Sequence, residues 1–247
     1  MEWLGRLSSP NARTLNKITT LSELDLAVIK CDACPRLVSW REEVALVKRK
    51  SFETQSYWGK PVSGFGPNDA SMLIVGLAPG AHGANRTGRV FTGDRSGDWL
   101  YGSLHRLGLA KLPSSDSRDD GQELFGIRIT CAVHCAPPDN KPEPEEKATC
   151  APWLHKEITL LLPTLKSFLA LGNFAWTGLF ATLAELDFII PKPRPKFGHG
   201  VTAEVIGPDG VIRWIVGSYH PSQQNTFTGK LTEAMLDSAI KTSVEFR

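Results

Sequence analysis

Four short apolar runs punctuate the chain: "SMLIVG" from Ser71, "GIRITCAV" from Gly126, "SFLALG" from Ser167 and "RWIVGSYH" from Arg213. They are rich in aliphatic and β-branched residues and lack clean polar alternation, the pattern of strands covered on both faces in a parallel sheet. Between them the period becomes helical. "SGDWLYGSLHRLGL" sets Trp99, Leu100, Leu104 and Leu107 on one face, with Ser96 or Asp98 as the cap. "KATCAPWLHKEITLLLP" reads as an amphipathic helix ending at or before Pro163, and "NFAWTGLFATLAEL" as another. Strands alternating with helices predict an α/β fold, a three-layer α/β/α sandwich about a mainly parallel four-stranded sheet, with any ligand at the carboxyl ends of the strands. "VTAEVIGPDGVIRWIVG" adds a hairpin about a Pro-Asp-Gly turn, and hence at least one antiparallel strand. Loops are expected at "PSSDSRDDGQE", "PPDNKPEPEEK" and the basic "PKPRPKFGHG".

At 247 residues and 41% hydrophobic content the chain can bury a full core, and it reads as one domain. With 28 basic and 26 acidic residues, the net charge of +2 gives no global pull on a polyanion, so a nucleic acid would be held by a local patch. The opening "MEWLGRLSSPNARTLNK" lacks the apolar centre of a leader, and no run approaches the ~20 residues needed to span a bilayer, so a cytoplasmic protein without a membrane partner is expected. Five cysteines, an odd count, argue for free thiols or metal ligands rather than disulfides.

Three features carry candidate chemistry. "GLAPGAHGANRTGRVFTGD", residues 76–94, follows the first strand with five glycines and matches neither GxGxxG nor the P-loop pattern. Glycines at a strand end let backbone amides approach a ligand, and Asn85, Arg86 and Arg89 are possible phosphate contacts; an ordinary βα turn is the equal alternative. "SYHPSQQNTFTGKLT", residues 218–232, begins where the last strand runs out, so His220, restrained by Pro221, is expected to face the same crevice. Cys31 and Cys34 form a CxxC, and Cys135 and Cys150 follow much later. Two close and two distant thiols suit a four-thiolate site for zinc or a 4Fe-4S cluster. A redox dithiol is the rival, but no strand pattern precedes Cys31.

Taken in order, "GLAPGAHGANRTGRVFTGD", "CAPPDNKPEPEE" and "HPSQQNTFTG" resemble the uracil-DNA glycosylase superfamily, specifically its fifth family, over most of the chain from "CDACPRL" onward. The resemblance implies a 4Fe-4S cluster on Cys31, Cys34, Cys135 and Cys150, tying the N-terminal segment in. It implies a monomeric, monofunctional glycosylase acting on double-stranded DNA, with single strands as a further form. The bases implied are uracil, hypoxanthine, xanthine, ethenocytosine and hydroxymethyluracil, each excised to leave an abasic site. Carried over by residue, His220 would donate to the departing base, while Asp94 and Asn140 would hold the attacking water. Gly76, Ala78, Gly80, His82, Phe91 and Cys131 would form the base pocket. Arg86, Gln223, Gln224, Asn225, Phe227 and Lys230 would contact DNA, helped by the basic cluster Lys192, Arg194 and Lys196.

The chain departs from the pattern of relatives in two places. Leu77 and Ala78 stand where better-known relatives carry a water-positioning carboxylate, and Cys131 stands where the fourth family has an asparagine. A thiol cannot copy a bidentate amide contact, so either the pocket is permissive or Cys131 is an inert core residue. Asp94 could equally cap the next helix, and Phe91 could merely pin its loop. Two rival functions are a DNA-binding iron-sulfur protein without glycosylase activity and a small-molecule nucleotide hydrolase.

Overall fold

This computed structural model describes residue 10 and residues 12–246; the first nine residues, on which the expectation of a leaderless chain rests, lie outside the described residues. Its sheet contains β1 (Met72–Gly76), β2 (Ile127–Cys131), β3 (Ser167–Leu171), β4 (Thr202–Ile206) and β5 (Ile212–Ser218), in the order β2-β1-β3-β5-β4. The four expected strands pair in parallel, and β4 joins β5 antiparallel. The Pro-Asp-Gly turn closes with Gly207 N–H donating to Val211 O at 2.9 Å. Every residue of β1, β2 and β3 is buried, because alternate side chains enter opposite layers. Leu73, Val75, Phe168 and Ala170 enter one core, and Met72, Ile74, Ile129 and Leu169 the other.

The first core lies under α1 (Ala12–Lys17), α2 (Leu21–Val28), α3 (Pro35–Val47), α6 (Pro144–Leu161) and α7 (Asn173–Glu185). The second lies under α5 (Arg95–Arg106) and α9 (Glu233–Glu245). Two short helices, α4 (Ala84–Thr87) and α8 (Gln223–Phe227), sit within the two polar loops. Among the described residues no helix is long and apolar enough to cross a membrane.

Two expectations are corrected here. The loop "PPDNKPEPEEK" ends early, because Pro144 at the first turn and a Glu143/Glu146 capping box start α6 there. In α5 the cap is Asp94, the second reading given for that residue, rather than Ser96 or Asp98, and the buried stripe is Leu100, Tyr101, Ser103 and Leu104, with Trp99 and Leu107 only half-buried.

An ion triad joins the sheet to its first layer. Arg128 of β2 donates through Nε to Glu157 of α6 at 2.5 Å and through Nη2 to Asp25 of α2 at 2.6 Å. Arg128 and Glu157 are fully enclosed, so each charge depends on the other for the solvation it has lost. Burial pushes the Asp25 carboxyl up to about 6, against the pull of Arg128. Replacing Arg128 with Ala should therefore cost about 3–5 kcal/mol, read from the shift in the guanidinium unfolding midpoint.

Candidate active site

The carboxyl ends of the parallel strands are level, with Gly76 beside Cys131 and Leu171 beside Ser218. Past the strands, Ala132 and Val133 N–H donate to Gly76 O and Leu77 O, both at 3.0 Å, so the loops after β1 and β2 set out together. Asp94 closes the first loop. Its backbone is extended and its Oδ1 accepts Gly97 N–H at 3.0 Å, which starts α5. Its Oδ2 lies against Gly80 and Gly83, where an added Cβ would stand 2.9 and 1.9 Å away. Cap and loop group are therefore one residue, not alternatives. Burial raises its carboxyl above the ordinary range, opposed by the N–H groups of Gly97 and Ser96.

Phe91, in the left-handed region at φ 51°, packs its ring on Gly76, where a Cβ would meet it at 2.8 Å. Its ring also meets that of His220, at 5.8 Å between centroids and 32° between planes. His220 leaves the end of β5 with its Cβ facing Gly172 of the β3–α7 turn. Its carbonyl accepts Asn225 Nδ2–H at 2.8 Å, while its ring nitrogens have no hydrogen-bond partner among the described residues. Burial lowers its pKa to about 4, so the ring is neutral at physiological pH. Cys131 is buried beside Gly76, and burial pushes its thiol well up, so it stays protonated. Ala78 is half-buried against the first core.

Asn140 follows β2 in a single helical turn, exposed, with both it and Asp139 left-handed (φ 55° and 53°). Its side chain has no hydrogen-bond partner among the described residues. Asp94, Asn140 and His220 thus lie in loops that leave the carboxyl ends of β1, β2 and β5, without hydrogen-bonding to one another.

Several expected DNA contacts are placed otherwise. Arg86 is buried; it donates to His82 O (2.8 Å), Gln55 Oε1 (2.6 Å) and Gly93 O (2.7 Å) and covers the Phe52 ring at 4.0 Å. Arg89 is likewise buried on Asp120 and Ser115, both at 2.5 Å, and Asn85 is enclosed with its amide on Arg41 O. A loop with few aliphatic side chains uses the guanidinium groups of Arg86 and Arg89 as filling, and neither remains for phosphate. Asn225 is half-buried and positions the His220 backbone. Gln223, Gln224, Phe227 and Lys230 are exposed, as are Lys192, Arg194 and Lys196. Arg95, not singled out in the sequence, stacks its guanidinium on Phe227 at 4.6 Å.

The four expected thiols line one cavity, together with Arg41, His134 and Trp153. All five cysteines are free. Burial, followed by mutual repulsion, pushes Cys34 up to about 11, and burial takes Cys135 to about 11. A redox-active CxxC needs the opposite shift. Arg41 Nη1 donates to Cys135 Sγ at 2.8 Å and His134 N–H to Cys150 Sγ at 3.4 Å. Arg41 is buried without a carboxylate partner among the described residues. Its place was readable, since Leu37, Arg41 and Val44 share the buried stripe of α3. Among the described residues no three His, Cys, Asp or Glu side chains form a group that could hold a metal ion as placed. A separate groove between α6 and α7, from Ala132 to Glu185, carries none of the expected site residues.

The model of the uracil DNA glycosylase superfamily matches residues 63–242. A type-5 uracil-DNA glycosylase of Mycobacterium leprae is 51% identical over 222 residues, 90% of this chain and 93% of its own length. One of Thermus thermophilus is 48% identical, covering 83% of this chain and 88% of its own. One of Pyrobaculum aerophilum is 42% identical, covering 87% and 88%.

The His220 pKa sets a stability test. Its folded value lies below the ordinary 6.5, so the unfolded chain binds more protons between pH 6.5 and about 4, and stability falls as pH drops through that window. Relative to His220→Asn, the wild type should lose on the order of 1–3 kcal/mol between pH 7 and pH 4, measured by urea unfolding at each pH.

Proposed function

The chain belongs to the uracil-DNA glycosylase superfamily, among its type-5 members, and from that premise we propose how its loops excise a base. It is a monofunctional hydrolase of the N-glycosidic bond of uracil in DNA, and the reading without chemistry falls away. The observation that carries the residue assignment is the pairing of Phe91 with a neutral, unpartnered His220 at the sheet end that also holds Asp94.

Extruding a nucleotide costs a few kcal/mol, least where its pairing is weak. Phe91 supplies the floor on which the base rests, tolerant because every base has a π-face. As the bond breaks, negative charge grows on the base and positive charge on the sugar. A neutral N–H of His220 stabilises the base by donation to its carbonyl oxygen without transferring a proton. Asp94, with its pKa raised by burial, and Asn140, with its free amide, hold the water and offset the sugar charge. Exposed Gln223, Gln224 and Phe227 fill the vacated stack, Arg95 steadies Phe227, and Lys230 meets phosphate. A protonated Cys131 beside Gly76 reads no particular edge, which supports activity on hypoxanthine, xanthine, ethenocytosine and hydroxymethyluracil. The acting form is a cytoplasmic monomer on duplex DNA, with single strands also accepted.

The donor set fits a 4Fe-4S cluster. Four thiols ring a cavity rather than a point, and in a cluster each iron takes its own thiolate. Arg41, a buried cation whose nearest anionic partner would be Cys135, offsets the charge of such a site. Bound by Cys31, Cys34, Cys135 and Cys150, the cluster would clasp the start of α3 to α6.

Two outcomes are expected. On a uracil duplex, with abasic sites revealed by alkali, His220→Ala and Asp94→Asn should each slow single-turnover excision roughly 10²–10³-fold while gel-shift affinity for uncleaved DNA is kept. An undiminished rate in either variant removes that residue from the chemistry. Purified protein should be brown with about four irons per chain by metal analysis, falling towards none in Cys135→Ala.

A further inference from the structure

We propose that Tyr57 is a positioning residue: its hydroxyl holds the proton of His82 on Nε2, so that the glycine-rich loop offers a neutral N–H donor to a carbonyl oxygen of the extruded base. This rests on the glycosylase reading of the site.

Tyr57 lies in the segment between α3 and β1, which is held against α4. Trp58 N–H donates to Arg86 O at 2.9 Å, Gly59 N–H to Asn85 O at 3.0 Å, and Gln55 accepts Arg86 at 2.6 Å. The ring meets His82 edge-on, with centroids 6.0 Å apart and planes at 85°. Two polar groups converge on the phenol oxygen: Arg49 N–H at 3.3 Å and His82 Nδ1 at 3.0 Å. A backbone N–H can only donate, so the oxygen accepts from Arg49, and its own proton remains to be given away. The acceptor in reach is His82 Nδ1. Were Nδ1 protonated instead, two donors would compete for the phenol oxygen and its own proton would have no acceptor among the described residues.

His82 then carries its proton on Nε2, which has no partner among the described residues. The residue sits in the turn between Gly80 and Gly83, the two glycines against which the Asp94 carboxylate packs. Burial, with Arg49 and Arg86 nearby, holds its pKa below the ordinary histidine value, so the donor is an uncharged one. An N–H at this place favours bases that present a carbonyl oxygen and disfavours those that present an amino group. Tyr57 itself touches no reacting atom; its effect passes through His82.

The test uses full-length protein labelled with ¹⁵N-histidine, with His82 assigned by its loss in His82→Gln. Long-range proton–nitrogen correlation should show the Nε2–H form alone in the wild type and a mixture in Tyr57→Phe, which keeps the ring and loses only the hydroxyl. Single-turnover excision of uracil from a duplex should fall about 10-fold in Tyr57→Phe, one hydrogen bond's worth, at unchanged duplex affinity. A wild-type His82 protonated on Nδ1, a proton position indifferent to Tyr57→Phe, or an unchanged excision rate would each overturn the assignment. Failure of the wild type on uracil would instead sink the glycosylase reading, and the nitrogen spectra would still decide where Tyr57 puts the proton.

Discussion

The carboxylate of Asp94 occupies the room that side chains at positions 80 and 83 would need, and the loop at the carboxyl end of β1 is arranged around that contact. One oxygen starts α5 and the other faces the glycine turn, so the helix beneath the loop and the loop itself share an anchor. Arg86 completes the arrangement from the opposite side by joining the carbonyls of His82 and Gly93 through one guanidinium. A loop fixed at both ends in this way loses little on meeting its ligand, which is what electrostatic stabilisation of a departing base requires.

Two enclosed guanidiniums show different answers to one electrostatic problem. Arg128 is matched by carboxylates from two helices, and the triad is complete in itself. Among the described residues Arg41 donates only to a carbonyl and a sulfur, Cys31 O and Cys135 Sγ. The first is balanced by carboxylates, whereas the second faces thiols and no carboxylate among the described residues.

Much of this was legible in the sequence. The buried strands were readable because both faces are covered, and the β4–β5 hairpin because Pro208, Asp209 and Gly210 dictate a turn. The cysteine grouping followed from spacing. The cap of α5 was left open among Asp94, Ser96 and Asp98 because all three are competent caps, and only the extended backbone at Asp94 selects one. Asn85, Arg86 and Arg89 read as possible phosphate contacts because polar residues in a glycine-rich loop often serve so; that they would serve as its core depends on Arg41, Gln55, Ser115 and Asp120, far away in sequence. Tyr57 carries no motif at all, and its partner lies 25 positions on.

The match to the superfamily begins at residue 63, but the molecule's internal ties do not respect that border. Asp25 answers a charge on β2, and Leu21, Leu24 and Val28 of the same helix help to seal the core beneath α6. The stretch that the family model covers is therefore not portable. Grafted elsewhere without its leading helices, it would carry a half-neutralised arginine and a bared apolar flank, so any swap of modules among such enzymes has to move the seam upstream of α2.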